Sequence, residues 1–268
     1  LGVVAWWLGE YEDAADQYRR ALEAFERCGA VQMTAAVFNN LGNLAQKQGD
    51  FDRATRWLER GLEVRLARGD RAGLARLYNN LGTLHGERGD FARARDYLLE
   101  SVRIKQRIGD GGLAVSCANL GEAYLRLGEG DLARPWVERA IALCTEGNGP
   151  GYLLPDAWRM SAELELLRGD AAAAHAAAER ALALAVETGD RPREAAALRV
   201  RARAELAGAA PEAADRSLAR ALEVLETLDQ PLELGRTLLL RADRLEARQP
   251  LEAAALRARA HALLGDSA

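Results

Sequence analysis

The chain has 268 residues, with 36 basic against 40 acidic side chains, a net charge of −4, 49% hydrophobic and only 6% aromatic content. That near-balance lacks the basic excess that non-specific nucleic-acid binding needs, so no direct nucleic-acid partner is expected. No apolar run reaches membrane-spanning length, no signal segment opens the chain, and Cys28, Cys117 and Cys144 form no disulfide framework, all of which points to a cytoplasmic protein without a membrane partner.

From the first residue onward the chain repeats itself. Leu1-Gly2 stands where Leu41-Gly42 stands one unit later, which places the start inside a helix and suggests a piece of a longer polypeptide. Trp6 and Trp7 follow near the end of that helix, where one of them is expected either to face a groove or to pack. Alanines then recur at Ala14, Ala54, Ala94, Ala133, Ala174, Ala214 and Ala254, separated by 40, 40, 39, 41, 40 and 40 residues. Twelve positions before each lies a second small residue, from Gly2 and Gly42 to Ala202 and Ala242. Seven positions after lies a third, Ala21, Gly61, Ser101, Ala140, Ala181 and Ala221, with His261 breaking the rule. Three such columns mean one supersecondary unit stacked repeatedly, with small residues where two helices cross closely.

Phe38 to Leu62 shows the unit. Phe38, Leu41, Gly42 and Ala45 fall at i, i+3, i+4 and i+7, one apolar helical face. Gly49-Asp50 makes the turn, and Phe51, Ala54, Leu58, Gly61 and Leu62 form the facing stripe of a second helix. Later units are looser. The aromatic column Tyr11, Phe51, Phe91 becomes Gly130, Ala171, Pro211 and Leu251, and a Gly/Pro-rich stretch at 145–156 reads as a hinge or a loop.

Phe38-Asn39-Asn40-Leu41-Gly42…Gly49-Asp50-Phe51…Ala54 and Tyr78-Asn79-Asn80-Leu81-Gly82…Gly89-Asp90-Phe91…Ala94 resemble the tetratricopeptide repeat (TPR). Cys117…Leu120-Gly121…Tyr124…Gly128…Ala133 follows the same pattern. The resemblance implies an all-α, right-handed superhelical solenoid of about seven TPR-like helix-turn-helix repeats. The whole of 1–268 reads as a single array, with repeats near 1–30, 31–70, 71–109, 110–149, 150–190, 191–230 and 231–268. Units of about forty residues resemble the sensor arrays of bacterial signal-transducing ATPases (STAND proteins) of the maltose-activator type, and those of peptide-sensing adaptors.

In that family the first helix of each repeat lines an inner groove. The resemblance therefore carries Asn39, Asn40, Asn43, Lys47, Arg76, Asn79, Asn80, Asn119, Glu122 and Arg126 over as candidate contacts for a protein or peptide ligand. An Asn carboxamide offers a donor and an acceptor together, matching a peptide group. The carboxylate-clamp variant wants Lys where Asn39 and Asn79 stand, and is disfavoured. Three Arg-Gly-Asp triplets, at 68–70, 88–90 and 168–170, fall in helix-ending turns, where Gly caps one helix and Asp starts the next.

No catalytic pattern emerges. His85, His175 and His261 share no metal-ligand spacing, and His85 falls in a packing column. Gly109-Asp-Gly-Gly112 lacks the Lys-Ser/Thr of a phosphate loop. Asp and Glu read as solvated helix faces. The expectation is a non-enzymatic peptide- or protein-binding scaffold without cofactor or metal, the sensor or regulatory array of a larger bacterial signalling protein. The alternatives are passive assembly through the array ends and small-molecule sensing near Tyr124, Tyr152 and Trp158.

Overall fold

A computed structural model describes residues 2, 6 and 9–264. Its described residues form thirteen α-helices and a single 3-10 turn, with no strand. Trp7, one of the two tryptophans singled out above, lies outside the described residues. The chain divides into two compact units, 1–129 and 130–268.

Unit 1 contains α1 (Tyr11–Arg27), α2 (Val31–Lys47), α3 (Phe51–Arg68), α4 (Arg71–Glu87), α5 (Phe91–Ile108) and α6 (Leu113–Arg126). Unit 2 contains α7 (Gly130–Thr145), the 3-10 turn Gly151–Leu153, α8 (Leu154–Leu167), α9 (Ala171–Glu187), α10 (Arg191–Ala207), α11 (Pro211–Leu225), α12 (Pro231–Leu245) and α13 (Pro250–Leu264). Even-numbered helices are the first of each repeat and odd-numbered ones the second. The Gly/Pro-rich stretch does not interrupt structure throughout, because Pro155 sits in the first turn of α8, where its missing N–H costs nothing.

The turns follow from local chemistry. At Gly69-Asp70 the glycine takes φ 67°, a left-handed conformation that ends α3, and the Asp70 carboxylate accepts a hydrogen bond from the Gly73 N–H to cap α4. Asp50, Asp90, Asp170 and Asp190 cap their helices the same way. The Arg-Gly-Asp triplets are thus helix punctuation, with their aspartates spent on backbone N–H groups.

Close crossings explain the small columns. A Cβ added at Gly42 would lie 2.7 Å from the Leu58 side chain, and Leu58 is fully buried between α2 and α3. Ala14, Ala54, Ala94, Ala133, Ala174 and Ala214 are all buried as expected. The last unit corrects the reading. Ala254 is exposed, and the residues buried in its place are Ala253 and Ala260, both at 0% exposure. The register of α13 therefore slips by one residue, its small positions seven apart remain intact, and His261 is an exposed neighbour of the true position. Equal spacing misplaced it because three consecutive alanines at 253–255 satisfy the pattern in more than one frame.

Candidate functional site

Within unit 1, α2 meets α4 and α4 meets α6, so the first helices form one continuous row. Their apolar stripes (Phe38, Leu41, Leu44; Leu77, Leu81, Leu84; Leu120) are buried, which turns the neighbouring Asn positions to the edge of the row. Asn39, Asn40, Asn43, Asn79, Asn80 and Asn119 are all half-buried there.

The structure ties five of these together along diagonals. Asn80 Nδ2 donates to Asn39 Oδ1 at 2.8 Å and to Asn43 Oδ1 at 3.3 Å. One repeat on, Asn119 Nδ2 donates to Asn79 Oδ1 at 3.2 Å. In both steps the Asn next to the Leu-Gly pair donates back to the Asn two places before that pair in the preceding repeat. Each amide bond leaves the same remainder: Nδ2 on Asn39 and Asn79, and Oδ1 on Asn80 and Asn119. The Asn40 side chain has no hydrogen bond to another described residue, so the straight Asn40–Asn80 rung is not formed. Lys47 and Arg76 are exposed, outside this network. Glu122 and Arg126 meet each other, Arg126 Nε donating to Glu122 Oε1 at 2.8 Å.

Behind the second step lies a group the sequence reading passed over. Ser116 Oγ donates to Asn79 Oδ1 at 2.8 Å, lies 3.0 Å from Ser101 Oγ, and accepts from Lys105 Nζ at 2.9 Å. Ser101, Ser116 and Lys105 are buried, and burial pushes the Lys105 ammonium below its ordinary pKa. The available signal was Ser116 itself, a hydroxyl where the two preceding repeats carry Leu77 and Val37 on the apolar face.

Unit 2 joins its helices with ions. Arg193 Nε donates to Asp156 Oδ2 at 2.6 Å and Arg199 Nη2 to Glu233 Oε2 at 2.6 Å, while Arg159 holds Glu163 at 2.6 Å. Arg201 donates to Glu179 at 2.8 Å and to Ser217, whose hydroxyl donates to Glu205 at 2.6 Å. Burial works against ionisation of Glu233, but Arg199 and Arg236 outweigh it and hold the carboxyl below its usual range. Glu194 and Glu205 are buried, which corrects the expectation that acidic side chains only coat solvated faces.

Elsewhere in unit 1, His85 is buried and stacks on Tyr97, with centroids 5.4 Å apart, as its packing column implied. Burial lowers its pKa, against the nearby Asp90 carboxylate, which raises it. A cleft of about 440 Å³ opens there, lined by Asp52, Thr55, Arg56 and Glu59 of α3 and by His85, Arg88, Arg93 and Tyr97. Trp6 packs against the cluster of Ala14, Tyr18 and Leu22. Trp158 is covered by the Arg180 guanidinium at 4.6 Å, and Tyr124 is buried. Among the described residues, no group of three or more His, Cys, Asp or Glu is placed to hold a metal, and no helix is long and apolar enough to cross a membrane.

Residues 1–263 match a known family description, the MalT-like TPR region. The chain belongs to this family. Among solved structures, the MalT-like TPR region is similar to the apo form of RapI, at 15% identity with a TM-score of 0.83, covering 98% of this chain and 94% of that one. It is similar to the STAND protein with a TPR sensor, PH0952 from Pyrococcus horikoshii, at 14% identity and TM-score 0.74, covering 97% of this chain and 40% of that one. It is also similar to PilW, a type IV pilus biogenesis factor, at 18% identity and TM-score 0.66, covering 89% and 95%. At these identities the likeness is one of fold. A search of curated proteins gave no match.

Proposed function

We propose that this MalT-like TPR region binds an extended peptide or protein segment along the α2–α4–α6 row of unit 1, through the main chain of its ligand. The diagonal asparagine network carries the reading. Each rung leaves a carboxamide N–H and, one repeat on, a carboxamide oxygen, without any net charge. A peptide backbone offers the complementary acceptor and donor whatever its sequence. The scaffold role needs no chemistry of its own. The family match, together with a fold shared with a STAND protein that has a TPR sensor, supports the finer reading of a sensor or regulatory array in a larger bacterial signalling protein acting in the cytoplasm. An ATPase motif in the parent polypeptide is the observation that would carry that finer reading further.

The test is capture from a displayed random heptapeptide library by wild type, Asn79→Ala and Asn80→Ala. Each substitution removes a ligand hydrogen bond and an inter-repeat one, so affinity for the captured pool is expected to fall about tenfold, the equivalent of roughly 1.4 kcal/mol. Equal capture by all three proteins removes the asparagine row as the binding surface.

A further inference from the structure

Lys105 stands in the register place that Arg65 occupies one repeat earlier, and the two cations are used differently. Arg65 pairs with Asp70 at the turn. The equivalent carboxylate, Asp110, also accepts from a backbone N–H, that of Gly112 at 2.7 Å, but makes no hydrogen bond with Lys105. Lys105 turns inward, where its Nζ donates to Gly112 O at 3.0 Å and to Ser116 Oγ at 2.9 Å. The helix crossing beneath it is altered to match. Where Gly61 meets the Leu77 side chain in the preceding repeat, Ser101 meets Ser116 here. An apolar contact has been exchanged for two hydroxyls and an ammonium, all buried, and such an exchange costs stability wherever packing alone is at stake.

Hydrogen-bond direction shows what the exchange achieves. An ammonium is donor only, so Ser116 Oγ must accept from it. Ser101 Oγ lies 2.8 Å from Ala75 O and 3.0 Å from Ser116 Oγ, to which it too can donate, and the one Ser116 proton goes outward to Asn79 Oδ1 at 2.8 Å, which also receives Asn119 Nδ2. Both acceptor sites of that oxygen are filled from the protein, and Nδ2 is the group left over.

We infer that Lys105 is a positioning residue: from inside the helix crossing, through Ser116, it holds the Asn79 carboxamide with its NH2 group turned to the inner face as a donor for a peptide main-chain carbonyl. This rests on the peptide-binding reading of that face, but the orientation of Asn79 is measurable without any ligand. Without the ammonium, the Ser116 hydroxyl is free to accept, and the Asn79 amide can turn over.

In the full 268-residue chain labelled with 15N, the Asn79 side-chain NH2 pair is identified by its loss in Asn79→Asp. In wild type both of its protons should exchange freely with water, while Lys105 gives a slowly exchanging NH3+ signal. In Lys105→Met, one Asn79 proton becomes bonded to Ser116, and its exchange should slow about tenfold or more. Capture of the same heptapeptide library should fall at least fivefold, although Lys105 touches no ligand. Unchanged Asn79 exchange in a folded Lys105→Met protein overturns the inference. If that variant fails to fold, wild type alone decides: a protected Asn79 NH2 or a neutral Lys105 amine overturns it, and free NH2 exchange beside a protected NH3+ supports it. If wild type captures no peptide, the binding reading falls, and the Asn79 exchange rates still decide for or against Lys105.

Discussion

In unit 1 the first helices are joined by neutral amides, Asn80 to Asn39 and Asn43, and Asn119 to Asn79. In unit 2 they are joined by ions, Arg193 to Asp156 and Arg199 to Glu233. The two solutions leave different remainders. A carboxamide that donates to a neighbour still has its oxygen to offer, whereas paired ions neutralise each other and present little to a ligand. Core chemistry differs in the same sense. Leu58, Leu77, Leu81 and Leu84 fill the middle of unit 1, while Ala162, Ala177, Ala178 and Val200 fill the corresponding layer of unit 2. In these two layers, unit 1 sets leucines beside unspent amide groups and unit 2 sets alanines beside paired charges.

The contrast in packing can be broken most directly. Leu58→Ala should cost about 3 kcal/mol in unit 1, because a fully buried leucine leaves a cavity against Gly42. In unit 2 the opposite change is the damaging one. Ala178→Leu must force volume into a fully buried alanine layer and should cost about 1–3 kcal/mol. Urea denaturation of the two variants measures both, and equal tolerance of Ala178→Leu and wild type would dissolve the distinction.

The register of α13 gives a sharper test on neighbouring residues. Ala253→Glu puts a charge at a buried crossing and should cost several kcal/mol or unravel α12 and α13, while Ala254→Glu should stay within about 0.5 kcal/mol of wild type. Thermal denaturation followed by circular dichroism separates them, and the reverse order would restore the evenly spaced ladder.

The smallest effect is in pH. Burial lowers the His85 pKa, so above the ordinary value of 6.5 both folded and unfolded chains hold it neutral. As pH falls from 6.5 towards the folded-state value, the unfolded chain takes the proton first and stability declines. His85→Phe should flatten that slope. Glu233 has its pKa lowered by Arg199 and Arg236, so its contribution is present above 4.5 and is lost as pH falls below it. Glu233→Gln should remove that second decline. The His85 decline lies below 6.5 and the Glu233 decline below 4.5, and urea midpoints measured from about pH 2 to 8 would show whether the two variants act separately.

Much of the fold was legible because its rules are local. The turn at Gly69-Asp70 needs only a left-handed glycine and a capping carboxylate, and the stripe Phe38, Leu41, Gly42, Ala45 needs only helical geometry. That half-buried Asn residues flank the stripe was legible for the same reason. Asn80 illustrates the limit: its partners are Asn39 and Asn43 of the preceding repeat, not the Asn40 of its own column. Repeat spacing aligns residues in columns, whereas neighbouring helices meet on a diagonal, and no single-repeat pattern contains that offset.

The amino-acid sequence by itself determined the helices, their ends, the small-residue crossings and the family. Each depends on residues within a turn or two of one another, or on a period that survives along the whole chain. Tertiary structure decided which amide bonds which, whether α13 buries Ala253 or Ala254, and that Lys105 lies inside a crossing while Arg65 turns to Asp70. Those outcomes depend on distances between helices some forty residues apart, where a shift of one residue or a few ångströms exchanges one hydrogen-bond partner for another.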